Sequence, residues 1–383
     1  MLARQEQGLW RQPKVAPAGW LDFSSNDYLG LARHPQVLDA YQEGLRQYGT
    51  GSGGSPLVSG YQWPHQRLSE ALAEWLGYES VLLTASGYAA NQAVAAALHP
   101  LQAHWYFDKR NHASMYDAVY ATTHHAKAVF SRFHHNDIAH LSRLLERRAT
   151  NLNQPVVIAS EGVFSMDGDS VPLAQLTALK ARYPNAILWI DDAHGIGVTG
   201  EQGAGVRGLH EGDKIDVVSG SFGKAFGLAG GFVASNTAVI EAAWQQARTY
   251  IYSTSFSAAQ TCALHAALSL IQQKETGFHA TLADNIAYFY AGLVKRGWRS
   301  DSKKLEKRYP HPIQPLVVGD IERAKALAAH LATQRIHCVA IRPPTVPLNQ
   351  TGIRVTIRAS HSRSDIDCLL AALGEASQWG VQF

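Results

Sequence analysis

The apolar residues between about residue 62 and residue 258 follow two alternating patterns. Short runs rich in β-branched and aromatic residues are separated by longer segments with apolar residues every three or four positions, such as Leu68, Leu72 and Leu76 before Gly77. The short runs predict strands, and the longer segments predict helices. The predicted strands cover residues 81–84, 104–107, 128–130, 156–159, 187–190, 215–218 and 231–234. Seven strands that alternate with helices are typical of a mainly parallel α/β sheet.

The pattern changes after about residue 258. Two long helical segments, 258–273 and 279–296, lead into a tail whose predicted strands and helices are 313–318, 321–334, 339–341, 353–357 and 364–377. This tail predicts a smaller α+β domain. We therefore expect an N-terminal segment (1–40), a large domain (41–272) and a small C-terminal domain (273–383). Within the large domain, a helix is predicted at 138–148 with Asn136 as its N-terminal cap.

Composition excludes several classes of protein. Hydrophobic residues make up 46% and charged residues 17% of the chain, and a net charge of +3 gives little reason to expect a nucleic-acid partner. No apolar run reaches the roughly 18 residues of a membrane-spanning helix, and the first residues lack the apolar region of a secretory signal. We therefore expect a cytoplasmic location. The three cysteines have no spacing typical of disulfides or metal sites, so no metal is expected.

Unusual residues follow three of the predicted strands. The strand at 81–84 is followed by Ser86, Gly87 and Tyr88, the strand at 187–190 by residues 191–195 (DDAHG), and the strand at 215–218 by residues 220–227 (GSFGKAFG). In open α/β sheets, ligands bind beyond the carboxyl ends of the strands. These residues are therefore the first candidates for a binding site.

The three segments contain the groups that pyridoxal 5'-phosphate (PLP) needs. PLP requires an amine for a Schiff base, a carboxylate against its ring nitrogen, a donor near its phenolic oxygen, and N–H and hydroxyl groups for its phosphate. A lysine in a glycine-rich loop is usually only a solvated side chain, and a Ser-Gly-Tyr sequence is usually only a helix start. Together, however, they supply the whole set: Lys224, Asp191, His194, Ser86, Gly87, Tyr88 and Ser221.

Four further segments strengthen this prediction: residues 23–31 (FSSNDYLGL), 51–55 (GSGGS), 58–60 (VSG) and 161–169 (EGVFSMDGD). With them, the chain resembles the α-oxoamine synthases, a family of PLP-dependent acyltransferases of fold-type I, from about Trp10 to about Leu373. The resemblance implies a large domain with a seven-stranded, mainly parallel sheet and a smaller α+β C-terminal domain.

The resemblance also implies roles for individual residues. Lys224 corresponds to the lysine that holds the cofactor, Asp191 to the partner of the ring nitrogen, His194 to the partner of the phenolic oxygen, and His112 to the histidine stacked on the ring. Gly87 and Tyr88 correspond to phosphate-binding amides, and Ser165 to a hydroxyl beside the cofactor. Ser221 replaces the threonine that most members have. Thr254 resembles a phosphate contact donated by the neighbouring subunit, which implies a homodimer.

The remaining implied residues concern substrates. Arg354 corresponds to the arginine that receives the carboxylate of the amino acid, with Asn26 near it. The segment 340–347 (AIRPPTVP), which contains Arg342 and Thr345, is similar to the branch of the family that condenses L-alanine with a pimeloyl thioester in biotin formation. Arg11 also matches a family motif.

Three alternatives remain at this point. The first keeps the cofactor and changes the substrates, for example to glycine and acetyl-CoA. The second is a catalytically silent partner subunit, against which Lys224, His112, Asp191 and His194 all argue. The third is a nicotinamide dehydrogenase, which would need GxGxxG after the first strand, where this chain has ASGYAA.

Overall fold

The structure is a computed structural model, and it describes residues 10, 12–13, 15, 17–122, 130–147, 154–209, 215–299 and 311–381. The chain divides into two compact units. We call the first, Gly30–Phe164 with Ser170–Thr276, the sheet unit. We call the second, formed by Met1–Leu29, Ser165–Asp169 and Gly277–Phe383, the terminal unit.

The strands that the described residues form are β1 Leu21–Asp22, β2 Ser80–Thr84, β3 His104–Asp108, β4 Phe130–Phe133, β5 Val156–Glu161, β6 Ala186–Asp191, β7 Val217–Ser221, β8 Gly231–Ser235, β9 Ile313–Val317, β10 Ile336–His337, β11 Val339–Ile341 and β12 Gly352–Thr356. The α-helices are α1 Pro35–Tyr48, α2 Trp63–Leu76, α3 Gly87–Leu98, α4 Ala113–Thr122, α5 Ile138–Glu146, α6 Leu173–Lys180, α7 Thr237–Gln246, α8 Arg248–Ile251, α9 Ala258–Gln272, α10 Phe278–Lys295, α11 Ile321–Thr333 and α12 Arg363–Leu373.

Among the described residues, a seven-stranded sheet forms the centre of the sheet unit, in the order β2-β8-β7-β6-β5-β3-β4. The neighbours from β4 to β7 are parallel, and β8 is antiparallel to both β7 and β2. The predicted mainly parallel α/β sheet is therefore confirmed. The central strands β5, β6 and β7 are mostly buried, and they are apolar except near their carboxyl ends, because helices cover both faces of such a sheet.

The register of the central strands aligns their carboxyl ends. Glu161 at the end of β5 is opposite Asp191 at the end of β6, and Asp191 is opposite Ser219 in β7. Helix α3 packs beside this edge, and most of its buried residues are alanines, which let its backbone lie close to β7 and β8. The sheet thus brings side chains about 30 residues apart in sequence to one place.

Three predicted details of the sheet unit differ from the structure. The strand predicted at 128–130 lies at Phe130–Phe133, and residues 128 and 129 are outside the described residues. The strand predicted at 215–218 runs from Val217 to Ser221, because Asp216 leaves the strand geometry and its carboxylate accepts hydrogen bonds from Leu188 N and Lys180 Nζ.

The third difference is a helix cap. Asn136 does not cap α5, because its backbone is in the left-handed conformation (φ 54°) and its side-chain amide donates to Ser170 O. The cap is Asp137, whose Oδ1 accepts a hydrogen bond from His140 N at 2.8 Å. Asp and Asn are about equally good caps, so the residue types alone do not distinguish the two positions.

The terminal unit contains two small sheets in its described part. One has the antiparallel order β11-β12-β9, and the other pairs β1 with β10 in parallel. Helix α11 packs against β10, β11 and β12, and α12 packs against both α10 and α11. The predicted α+β character of the C-terminal region is therefore confirmed.

Within the ranges that the structure describes, no helix is both long enough and apolar enough to cross a membrane.

Candidate active site

Asp191 is a polar side chain at the carboxyl edge of the sheet. It is only 8% exposed. Its Oδ2 accepts a hydrogen bond from Asn91 Nδ2 at 2.7 Å, and its Oδ1 accepts one from Ala193 N at 3.1 Å. Hydrogen bonds donated to both oxygens stabilise the carboxylate form. The protein therefore holds a buried carboxylate in one orientation at this edge.

Glu161 lies beside Asp191 and is also buried. Its Oε1 has no hydrogen-bond partner among the described residues. Burial raises the pKa of Glu161 well above its ordinary value, and the negative charge of Asp191 adds to this, whereas the backbone N–H of His112 and the charge of Lys224 act in the opposite direction. Glu161 is thus a buried carboxyl group that favours its protonated form and lies beside Asp191.

Lys224 lies in the loop between β7 and β8, and the local packing fixes this loop. Phe222 and Phe226 are fully buried with ring centroids 5.1 Å apart, whereas Lys224 between them is half-buried. Gly227 N donates to Lys224 O at 2.9 Å, and Gly227 has a φ of 69° that favours glycine. Two aromatic anchors and one turn therefore hold the lysine backbone in place.

The other predicted residues of the sheet edge lie on neighbouring elements. His194 is buried in the turn that follows β6. His112 comes just before α4 and is exposed, and its Nδ1 accepts a hydrogen bond from Ser114 N at 3.3 Å. A nitrogen that accepts an N–H carries no proton, so this contact places the ring proton of neutral His112 on Nε2.

The start of α3 forms a narrow cradle. Ser86 caps the helix by accepting a hydrogen bond from Ala89 N at 3.1 Å, and the first N–H groups of the helix point out of its end. A Cβ on Gly87 would lie 3.0 Å from Ser221 Cβ, so a side chain at position 87 would close the space. Ser221 Oγ accepts from Gly223 N at 3.1 Å, and Tyr88 is held by a hydrogen bond from its hydroxyl to Asp117.

Thr254 is exposed and follows α8. Together with Thr84 and Ala85, it lines a small pocket next to the start of α3. The structure therefore places this predicted phosphate contact on the surface of the sheet unit.

Arg354 forms a second cluster, in the terminal unit. Its guanidinium is buried and donates to Asn26 Oδ1 from both Nη1 and Nη2 at 3.0 Å. Nη1 also donates to Thr356 Oγ1 at 3.0 Å, and Nε donates to the backbone carbonyl of Ser165 at 2.7 Å. The sequence prediction that Asn26 lies near Arg354 agrees with this geometry, and Ser165 joins the same cluster through its backbone.

Arg342 and Thr345 lie in the loop after β11. Arg342 Nη2 donates to Trp10 O at 2.8 Å, and Thr345 N donates to Arg342 O at 3.1 Å. Arg11 lies outside the described residues, so its predicted role stays a prediction.

Sequence reasoning missed four residues of the sheet edge: Asn91, Ser114, Glu161 and Ser219. Asn91 was detectable as one of two polar residues in the otherwise small and apolar helix α3, and Glu161 as an acidic residue two positions after the predicted apolar strand 156–159. Ser114 and Ser219 give no local signal, because serine is common at all such positions.

A second buried acid, Asp192, is enclosed by glycines. A Cβ added to Gly162, Gly195 or Gly205 would lie 1.8 to 2.1 Å from its carboxyl oxygens. Asp192 Oδ2 accepts a hydrogen bond from Val206 N at 2.7 Å. Burial and the negative charge of Asp191 raise the pKa of Asp192 to about 8, despite the opposing hydrogen bonds from Val206 and Gly195. The Asp192 carboxyl therefore occupies the space that these three glycines leave free.

Comparison with known proteins places this geometry in context. The family model for aminotransferase class I and II matches residues 18–373. The chain is 44% identical over 376 residues to the 8-amino-7-oxononanoate synthase of Pseudescherichia vulneris, covering 97% of this chain and 93% of that protein. It is similar to the solved serine palmitoyltransferase of Sphingomonas wittichii, with a TM-score of 0.88, 26% identity, and coverage of 100% of this chain and 98% of that chain. A structure of SPT with a PLP internal aldimine gives a TM-score of 0.84 at 26% identity, covering 92% of this chain and 86% of that chain.

The pKa of Asp192 generates a prediction about stability. The folded state keeps this proton up to about pH 8, whereas the unfolded state loses it near the ordinary value of 3.8. Between these values the folded state binds more protons, so the free energy of unfolding should fall as pH rises, by up to about 1.4 kcal/mol per pH unit. Asp192→Asn, which cannot titrate, should show a smaller fall in urea unfolding experiments between pH 5 and 8.

Asp137→Asn is the matched control, because asparagine caps α5 as well as aspartate does. It should keep the wild-type pH dependence. An Asp192→Asn variant with the wild-type slope would show that Asp192 is ionised in the folded protein.

Proposed function

The chain belongs to the aminotransferase class I and II family and, within it, to the 8-amino-7-oxononanoate synthases, and from this premise we propose that it is a PLP-dependent acyltransferase. The proposed reaction joins the α-carbon of L-alanine to the acyl carbon of a pimeloyl thioester. A carbon–carbon bond forms, the carbon–sulfur bond breaks to release the thiol, and the alanine carboxylate leaves as CO2. The product is 8-amino-7-oxononanoate.

The observation that carries this proposal is the buried, doubly hydrogen-bonded carboxylate of Asp191 at the sheet edge that also presents Lys224. PLP, when bound, supplies an electron sink for the charge that develops at the α-carbon. The residues of the sheet edge fit this group. The cradle at Gly87 is open because position 87 has no side chain. The N-terminus of helix α3 directs its N–H groups and the positive end of the helix dipole into this cradle.

The proposed role of Asp191 is to keep a proton on the ring nitrogen. Opposite charges about 4 Å apart attract by roughly 4 kcal/mol at an effective dielectric of 20, equivalent to about 3 pKa units. Asn91 and Ala193 prevent the carboxylate from turning away. His194 and His112 are proposed to contact the phenolic oxygen and the ring face.

Lys224 is proposed both to hold the cofactor and to move the proton of the substrate α-carbon through Nζ. A general acid–base group works best with a pKa near the operating pH. Glu161 lies close enough to interact with Lys224 electrostatically. Because burial favours the protonated form of Glu161, this side chain does not place a full negative charge beside the amine of Lys224.

The proposed carboxylate site for the amino acid is Arg354 with Asn26. A guanidinium is always charged, and its planar fork matches a carboxylate. Arg342 and Thr345 are proposed to contact the thioester substrate, on the similarity of segment 340–347 to the branch that uses a pimeloyl thioester.

We also propose a homodimer with shared sites. Thr254 is exposed, and large apolar side chains near it are exposed as well: Leu57, Val58, Trp63 and Tyr252. Segment 56–60, which contains Leu57 and Val58, packs against α8, which directly precedes Tyr252, so these three exposed side chains lie on neighbouring elements. Exposed apolar patches of this kind mark interaction surfaces.

The first prediction tests the cofactor. The protein purified with PLP should absorb visible light, and borohydride reduction followed by peptide mapping should place a stable cofactor label on Lys224. Lys180, which is half-buried and paired with Asp216 in the same unit, is the internal control and should stay unlabelled. A label on another lysine, or no label, would sink the cofactor proposal.

The second prediction concerns substrates. Loss of a charge-assisted hydrogen bond to a buried carboxylate costs roughly 1.5 to 3 kcal/mol, so Arg354→Ala should raise the KM for L-alanine about tenfold to a hundredfold. Arg354→Lys keeps the positive charge without the planar fork, so its KM for L-alanine should lie between those of wild type and Arg354→Ala. Arg363→Ala, at an exposed arginine of the same unit, is the control and should match wild type.

The same assay distinguishes the family branches. L-alanine, glycine and L-serine are each combined with pimeloyl, acetyl, succinyl and palmitoyl thioesters, and thiol release and product mass are measured. L-alanine with the pimeloyl thioester should give the highest kcat/KM. If glycine with acetyl-CoA or succinyl-CoA is faster, the substrate assignment is wrong although the cofactor chemistry stands.

The third prediction tests the shared site. Lys224→Ala and Thr254→Glu dimers should each be inactive, the second because a carboxylate opposes the phosphate. After subunit exchange, a heterodimer contains one intact site, so random mixing should restore about one quarter of wild-type activity. Mixing Lys224→Ala with Asp191→Asn is the control, because both changes fall in the same chain's part of the site. Equal activity in the two mixtures would contradict site sharing.

A further inference from the structure

A buried chain of hydrogen bonds runs behind the two residues proposed to contact the PLP ring. Trp189 Nε1 donates to Ser219 Oγ at 3.0 Å, and Ser219 Oγ donates to Asn91 Oδ1 at 2.7 Å. Asn91 Nδ2 then donates to Asp191 Oδ2 at 2.7 Å and to Ser114 Oγ at 2.8 Å. Asn91 thus connects strands β6 and β7 to the start of α4.

The direction of the bonds in this chain is set at Asp191. A carboxylate only accepts hydrogen bonds, so the Asn91 amide turns its Nδ2 to Asp191 and its oxygen to Ser219. Ser219 then donates its hydrogen to this oxygen and accepts from the indole of Trp189, which can only donate. Both hydrogens of the Asn91 amide therefore point to Asp191 and Ser114, and a flipped amide would place its oxygen against the Asp191 carboxylate.

The chain of hydrogen bonds divides at Asn91 into two arms, one that ends at Asp191 and one that ends at His112. Ser114 Oγ accepts from Asn91, which leaves the Ser114 hydrogen for His112 Nδ1, 2.7 Å away. The backbone N–H of Ser114 points to the same nitrogen. Two donors at Nδ1 hold the neutral imidazole with its proton on Nε2.

We propose that Asn91 is a positioning residue that couples Asp191 to His112, so that one amide sets both the charge of the carboxylate and the tautomer of the imidazole. This proposal rests on the proposed function, in which both side chains contact PLP. Asn91, Ser114 and Ser219 are each at most 1% exposed, so water cannot replace a lost partner. An unsatisfied donor or acceptor in such a place is costly, which is why the chain acts as a unit.

The test compares three variants with a control. Asn91→Leu removes both arms, Ser114→Ala removes the His112 arm, and Ser219→Ala removes the contact that orients the amide. Ser160→Ala is the matched control, because Ser160 is an equally buried serine of β5 whose hydroxyl has no partner among the described residues. Apoenzyme is titrated with PLP to obtain Kd, and the visible absorption of the loaded enzyme is followed from pH 5 to 10.

Asn91→Leu should weaken PLP binding about tenfold or more, and Ser219→Ala about threefold to tenfold. Both should move the pH midpoint of the visible band. Ser114→Ala should shift this midpoint with a smaller change in Kd, because Asp191 keeps its partner. Ser160→Ala should match wild type in both measurements. The Asn91→Leu/Ser219→Ala double variant should bind PLP no more weakly than Asn91→Leu, since Ser219 acts through Asn91.

The outcomes separate the two proposals. If wild-type protein binds no PLP, the proposed function fails. If wild type binds PLP but Ser219→Ala and Asn91→Leu behave as Ser160→Ala does, or if the double variant shows fully additive losses, the coupling by Asn91 is wrong. Melting of the apoenzymes checks folding, and Ser219→Ala, which removes a single oxygen atom, decides the test if Asn91→Leu melts early.

Discussion

The parallel register of β5, β6 and β7 forces carboxyl groups together inside the protein. Glu161 and Asp191 are paired across the two strands, and Asp192 follows directly. Like charges at such distances repel strongly where water is excluded, so the three groups cannot all be ionised at low cost. Much of the local structure can be understood as the way in which this conflict is resolved.

The resolution is a different environment for each acid. Asp191 receives side-chain and backbone hydrogen bonds that favour its charge, whereas burial favours the protonated forms of Glu161 and Asp192. The glycines around Asp192 belong to this arrangement, since a Cβ at Gly162 or Gly205 would occupy the position of its carboxyl oxygens.

The sequence predicts those parts of the structure that depend on local patterns. Strands and helices follow from apolar spacing, and Asp191, Lys224 and the start of α3 follow from their places after strands. Asn91 and Asp191 are 100 residues apart, and no local pattern reports a contact that depends on sheet order. Asp137 rather than Asn136 caps α5 because of one backbone dihedral angle, and the residue types do not reveal this angle.

A similar limit applies to Arg358, which had no predicted role. The structure shows that its guanidinium donates to Asp22 O and lies beside His361, whose pKa burial and the Arg358 charge lower to about 4. A neutral His361 also contacts Asp22 O. This pair therefore ties β1 to the segment after β12 within the terminal unit, a role that residue type alone does not indicate.

The Arg354 cluster shows how a protein can keep a buried guanidinium stable before substrate arrives. Four of its contacts are to neutral acceptors, and Asn26 Oδ1 accepts two of them in addition to the Tyr28 hydroxyl. A substrate carboxylate would have to compete with Asn26. In the proposed complex, the carboxylate would bring a full negative charge and two oxygens to the planar fork of the guanidinium, whereas Asn26 offers one neutral oxygen, so the exchange would favour the carboxylate. In this proposed exchange, the displaced Asn26 side chain would still have its amide nitrogen as a donor for the same carboxylate.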